Sequence, residues 1–213
     1  RRAAAGGADL LVLPEGVLAR DITDPDIVLK SAQPLDGPFM SALLEASRGS
    51  PTVVMFCIHV PTGGGRVYNT LVTLRDGAII GRYRKLHLYD AFDTLESAKV
   101  EAGDALPEIL DIGGMKIGPM TCYDVRFPEL ARRYAIDGAE VLVLPAAWVR
   151  GPGKEAHWTT LVTARALENT CYIVAVGECG PRNIGASMVV DPLGVAIVQT
   201  GEAPSLIFAE LDP

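Results

Sequence analysis

Nowhere in the 213 residues is there an apolar run long enough to cross a bilayer, although 49% of the chain is hydrophobic. No membrane role is expected. Positive charge is scarce as well: 19 Lys and Arg face 26 Asp and Glu, a net charge of −7. That balance argues against nucleic acid or an anionic membrane surface as the main partner. The one basic cluster, Arg82, Arg84, Lys85 and His87, reads by composition as a solvated face. Cysteine is limited to Cys57, Cys122, Cys171 and Cys179, with no CxxC spacing. Neither a disulfide framework nor a zinc site is expected, and the reading is a reduced, cytoplasmic protein. His59, His87 and His157 are scattered and suggest no metal cluster. Ser/Gly-rich linkers are missing too, so residues 1–213 are read as a single domain large enough for one core.

What is there is a succession of short apolar runs closed by Pro and Gly. Leu10 to Leu13 reads as a strand buried on both faces, Gly37 to Arg48 as a helix, and Val53 to Val60 as a strand. Val67 to Arg75 and Ala78 to Arg82 flank Asp76-Gly77, a hairpin signal. Asp90 to Asp104, small, polar and acidic, reads as a long functional loop. Further strands are expected at Met115 to Met120, Val141 to Leu144 and Tyr172 to Val176, with a helix from Trp158 to Asn169. A hairpin around Asp191-Pro192-Leu193-Gly194 and a last strand, Leu206 to Leu211, complete the reading. One string recurs: Gly7-Ala8-Asp9-Leu10-Leu11-Val12-Leu13-Pro14 returns as Gly138-Ala139-Glu140-Val141-Leu142-Val143-Leu144-Pro145. It suggests two related halves, each one sheet covered by helices on one side, packed sheet to sheet in four layers.

Three residues sit at strand ends. Cys122 falls where the Met115–Met120 strand turns into a helix with Pro128 in its first turn. Unpaired N–H groups there favour a thiolate and a developing oxyanion. Glu15 follows a buried strand and a Pro, so desolvation is expected to raise its carboxyl toward the range of a general base. Lys85 closes a hairpin strand, where an ammonium can steady an oxyanion. Taken singly, a Cys is more often packing, a Glu after Pro a cap, and a Lys near a turn solvated.

Together, Leu13-Pro14-Glu15, Tyr83-Arg84-Lys85-Leu86-His87-Leu88 and Cys122-Tyr123-Asp124-Val125-Arg126-Phe127-Pro128-Glu129 resemble the three signature segments of the nitrilase superfamily, the carbon–nitrogen hydrolases, in the right order and at the right intervals. The resemblance implies a four-layer α-β-β-α sandwich of two mixed sheets and a catalytic triad of Glu15, Lys85 and Cys122. It implies a supporting second Glu, assigned to Glu96, with Glu101 as the rival, and a pocket wall at Trp148. His157-Trp158 and Arg165 to Asn169 match the family pattern as packing and ion-pair residues. It further implies a homodimer packed through the helices at 127–137 and 158–169, or a larger homo-oligomer. Relative to the family, the chain is expected to lack the first strand and the C-terminal extension.

The implied reaction is acyl transfer through a Cys122 thioester. Glu15 is the base, Lys85 and the Tyr123 backbone N–H hold the oxyanion, and no metal or organic cofactor is required. Tyr123-Asp124 after the nucleophile, where nitrile hydrolysers tend to carry Trp-Glu, resembles the amidase branch that includes omega-amidase and deaminated glutathione amidase. The expected substrate is a small aliphatic amide bearing a carboxylate. The alternatives are a nitrilase or N-carbamoyl hydrolase of the same superfamily, an inactive binding or scaffold member, and a Cys–His hydrolase using Cys122 and His157.

Overall fold

The computed structural model describes residues 1–21, 23–91 and 94–212. The chain forms two compact units, 1–107 and 108–213. Two positions of the Asp90–Asp104 loop, 92 and 93, lie outside the described residues.

In the first unit, α1 (Arg2–Ala5) leads into β1 (Leu10–Val12), then α2 (Ile27–Lys30), α3 (Pro38–Ser47) and β2 (Val53–Pro61). β3 (Val67–Arg75) and β4 (Ala78–Arg84) form the expected hairpin. Its turn residues Asp76 and Gly77 both take positive φ, 46° and 75°, the pairing that matches strand twist. The sheet runs β1-β2-β3-β4, and β7 (Val100–Glu101) joins the start of β3. The excursion before it holds the small ladder of β5 (Asp90–Ala91) with β6 (Thr94–Leu95) and a 3-10 turn at Glu96–Ala98. Pro38 starts α3, where its missing N–H costs nothing. Met40 of that helix is buried with Phe56, Ile58, Val72 and Leu74.

In the second unit, β8 (Leu110–Ile112) and β9 (Met115–Pro119) form a hairpin, followed by α4 (Pro128–Ile136), β10 (Val141–Ala146), α5 (Lys154–Asn169) and β11 (Tyr172–Gly177). A small ladder, β12 (Cys179–Gly180) with β13 (Asn183–Ile184), precedes β14 (Met188–Val190) and β15 (Ala196–Gln199). The sheet order is β15-β14-β11-β10-β9-β8. Helix α5 begins at Lys154, earlier than its apolar spacing indicates, because Gly153 takes φ 69° and turns the chain into the helix there.

The repeated string forms the same element twice, and the likeness extends further. β1-β2-β3-β4 are joined parallel, antiparallel, antiparallel, and so are β10-β11-β14-β15. Position in the sheet separates the copies. β10 lies between two parallel neighbours and is buried at every residue, whereas β1 ends its strand order and is only half-buried, not buried on both faces as its composition suggests. Leu206 to Leu211 forms no strand: an apolar alternation becomes one only where an edge takes up its hydrogen bonds, and among the described residues no ladder pairs this segment.

Candidate active site

The first unit gathers four polar side chains by sheet register. His59 of β2 lies opposite Asn69 of β3, and the Lys85 N–H donates to the Asn69 carbonyl at 2.9 Å, extending the ladder one residue past β4. The three therefore form one row across the sheet, with their side chains on one face. The same alternation exposes Arg82 and Arg84 and buries Tyr83 and Lys85, so Lys85 is not part of a solvated basic face. Glu15 comes three residues after β1, and the Val17 N–H donates to the Cys57 carbonyl at 3.4 Å, which keeps this turn beside β2.

Glu15 and Lys85 are 6% and 2% exposed, and Lys85 Nζ donates to Glu15 Oε1 at 3.2 Å. The ammonium also donates to both oxygens of Glu96, at 3.1 and 2.9 Å. Glu96 is held in turn by the Tyr89 backbone N–H at 2.6 Å. Burying an ammonium is costly unless it is paired, and here two carboxylates pair it. Asn69 Nδ2 donates to Glu15 Oε1 at 2.6 Å. Burial pushes the His59 imidazole down to about 4, the Glu15 charge opposing the drop and the Lys85 charge adding to it, so the ring is neutral at pH 7. Glu101, the rival to Glu96, instead pairs with Arg66 at 3.2 Å and accepts from Tyr68 Oη at 3.2 Å. Gly103 presses on the Arg84–Lys85 backbone: a Cβ there would lie 2.3 Å from the Arg84 carbonyl oxygen.

In the second unit, Cys122 is 8% exposed and takes φ 45°, an unusual conformation for a residue with a side chain. It opens a 3-10 turn, Cys122–Arg126, that stands between β9 and α4 where the sequence reading placed a direct strand-to-helix step. Pro128 explains the turn. It has no N–H to offer the Asp124 carbonyl, which accepts from the Phe127 N–H at 3.0 Å instead. Thr121 and Asp124 cap the turn reciprocally, the Thr121 N–H donating to Asp124 Oδ2 at 2.8 Å. Arg165, 5% exposed on α5, donates from Nε to the Val125 carbonyl at 2.9 Å.

Trp148, 3% exposed just after β10, donates from Nε1 to the Lys154 carbonyl at 3.0 Å and lies 5.4 Å from the Trp158 ring. The Arg126 guanidinium stands 5.2 Å from the Trp148 ring and 5.8 Å from that of Tyr123. His157, the base of the alternative Cys–His reading, is exposed, its Nδ1 3.5 Å from Arg126 Nη2.

The structure thus brings Glu15, Lys85 and Glu96 into contact in the first unit and sets Cys122, Tyr123 and Trp148 around one turn and the end of β10 in the second. The sequence reading missed Asn69, His59, Asp124 and Arg126. Asn69 and His59 carried a signal, a polar residue inside an apolar strand run. Arg126 carried one in its spacing from Cys122. Among the described residues, no group of three or more His, Cys, Asp or Glu is placed to hold a metal ion, and no helix is long and apolar enough to cross a membrane.

Comparison with known proteins fits this chemistry. Residues 1–213 match the family described as carbon–nitrogen hydrolase. The chain is 54% identical over 212 residues to a deaminated glutathione amidase from Escherichia coli O157:H7, covering 100% of this chain and 81% of that protein. Its structure resembles the NitFhit protein of C. elegans with a TM-score of 0.83 and 31% identity, over 94% of this chain and 52% of that one. It also resembles a variant of the amidase from Nesterenkonia sp. AN1, solved with the acetamide moiety of fluoroacetamide covalently added at the active-site cysteine. The TM-score is 0.78 and the identity 27%, over 96% of this chain and 77% of that one. The α/β class, two mixed sheets flanked by helices, is the one expected of the nitrilase superfamily. With a match along its whole length, an amidase relative more than half identical and the same fold, the chain belongs to the carbon–nitrogen hydrolase family and is an enzyme that hydrolyses carbon–nitrogen bonds.

Proposed function

We propose that the protein is an amidase that cleaves a small aliphatic amide bearing a carboxylate, through a thioester on Cys122, and releases ammonia. The observation that carries the reading is the buried Lys85 ammonium held between Glu15 and Glu96. Support also comes from Cys122 at positive φ heading a capped turn, and from relatives named as amidases. In this reading residues 1–213 form one catalytic domain, and Glu15, Lys85 and Cys122 act together as its catalytic triad. The family match along residues 1–213 supports the single domain.

Glu15 takes the Cys122 proton and the thiolate attacks the amide carbon. Lys85 and the Tyr123 backbone N–H receive the oxyanion. As the carbon–nitrogen bond breaks, Glu15 returns its proton to the departing nitrogen and ammonia leaves. Water then gives a proton to Glu15 and adds to the thioester carbon, and on collapse the acid leaves while Glu15 returns that proton to the Cys122 sulfur. Glu96 orients the amide by accepting its N–H, while Trp148 walls the pocket. Arg126, on the same turn as Cys122, is the cation we assign to the substrate carboxylate. The proposal includes a reduced, cytoplasmic setting for the enzyme and a homodimer as its working form.

The test is turnover of paired amides and nitriles, with and without a carboxylate, by wild type and Cys122→Ala. Ammonia release is expected from the carboxylated amide, with none from the variant. A nitrile turned over faster than its amide, or an adduct on Cys171 or Cys179 in the quenched enzyme, would sink the reading.

A further inference from the structure

Glu15 is held by more than its lysine. Among the described residues of its unit, the charged and titratable groups around it include Lys85 at the end of β4, Glu96 beyond that ammonium, and His59 on β2. Lys85 Nζ is shared, and its contacts to Glu96, 2.9 and 3.1 Å, are shorter than its 3.2 Å contact to Glu15. At 2.6 Å, Asn69 Nδ2 is thus nearer to Glu15 Oε1 than the ammonium is.

We propose that Asn69 is a positioning residue that pins Glu15 Oε1, keeps the carboxylate ionised and leaves proton transfer to Oε2. The proposal rests on the reading of Glu15 as the group that moves protons to and from Cys122 and the leaving nitrogen.

Three features carry it. First, the carboxamide never ionises near neutral pH, so it donates an N–H to Glu15 at every stage without competing for the proton. Its other orientation would set an amide oxygen against a carboxylate oxygen. Second, Asn69 is 2% exposed, and its Oδ1 has no partner among the described residues. Buried polar atoms are nearly always satisfied, so a buried amide whose side chain, among the described residues, is anchored through Glu15 is poorly explained as packing. Third, its direction is fixed by register: β3 is held on one side by β2 at His59 and on the other by the Lys85 N–H, and Asn69 cannot turn away without breaking the sheet. Two donors on one oxygen stop the carboxylate from rotating. Because each N–H favours the ionised form, removing one raises the pH at which Glu15 takes up its proton.

The experiment follows the Glu15 carboxyl directly, by 13C NMR of carboxyl-labelled enzyme, with its signal identified by its loss in Glu15→Gln. Asn69→Leu keeps the volume and removes the donor. We expect its Glu15 midpoint to rise by about one pH unit. The acidic limb of kcat/KM should move with it, and kcat should fall by at least about tenfold, with KM within about twofold of wild type. An Asn69→Leu protein that folds and keeps the wild-type Glu15 midpoint overturns the proposal. If Asn69→Leu does not fold, Asn69→Ser, too short to reach Glu15, carries the same expectation and the same refutation. A shifted midpoint in an enzyme that hydrolyses no amide would overturn the substrate reading while leaving the positioning role standing.

Discussion

Lys85 tolerates burial because two carboxylates share its charge, and each partner has a separate consequence. Glu96→Gln keeps the shape but removes the negative charge and turns one of two acceptor oxygens, which also serve Lys85 and the Tyr89 N–H, into a donor. Losing a hydrogen bond to a charged group costs roughly 1.5–3 kcal/mol, so amide turnover is expected to fall by about 10- to 100-fold. Cys122 should still be acylated by a reactive ester, visible as a thioester mass on the quenched protein. An unchanged amide rate would remove Glu96 from the reaction. His59 makes a prediction about stability. In the folded chain it titrates at about 4, against 6.5 unfolded, so between those values the unfolded state binds the extra proton. Stability is then complete above pH 6.5 and declines as the pH falls toward 4, by on the order of 3 kcal/mol from this group. Urea denaturation at pH 7 and 4.5 should show the loss, and His59→Gln should flatten it.

Among the elements, the β9–turn–α4 segment sets the conformation of Cys122. β9 ends in Gly118-Pro119, and the Tyr134 ring of α4 lies so close that a Cβ on Gly118 would approach it to 2.7 Å. Tyr134 is itself fixed by donating from Oη to the Pro119 carbonyl at 2.6 Å. Gly118→Ala is therefore expected to cost about 1–3 kcal/mol through overpacking. A melting temperature equal to wild type would show that the ring has room to move. Thr121→Ala removes one half of the cap over the turn and should cost about 1 kcal/mol. It should also slow alkylation of Cys122, because the residue is freed to leave φ 45°.

For the whole molecule, the proposed homodimer places α4 and α5 against a second copy. Ile136 of α4 and Leu167 of α5 are 73% and 56% exposed, large apolar side chains with a hydration cost that a partner surface would remove. Light scattering at micromolar concentration is expected to give twice the chain mass, and Ile136→Glu with Leu167→Glu to give a monomer. A wild-type monomer would end the dimer proposal.

Much of this molecule was determined by local sequence. Pro38 and Pro128 at helix starts, Asp76-Gly77 at a hairpin, and the paired strings at 7–14 and 138–145 act over a few residues and need no distant partner. Glu15, Lys85 and Cys122 stand out in the sequence because they lie in signature segments whose spacing survives in one dimension, and Glu96 because it fits the second-Glu position between Lys85 and Cys122. The tertiary structure alone decided which neighbour each received. β1 and β10 share a sequence pattern, yet only β10 is buried throughout, because burial depends on how many strands flank it. Leu206 to Leu211 has the pattern of a strand and no ladder, because a strand is a relation between segments. Asn69 reached Glu15, 54 positions away, through sheet register, a property of paired strands that neither segment encodes by itself.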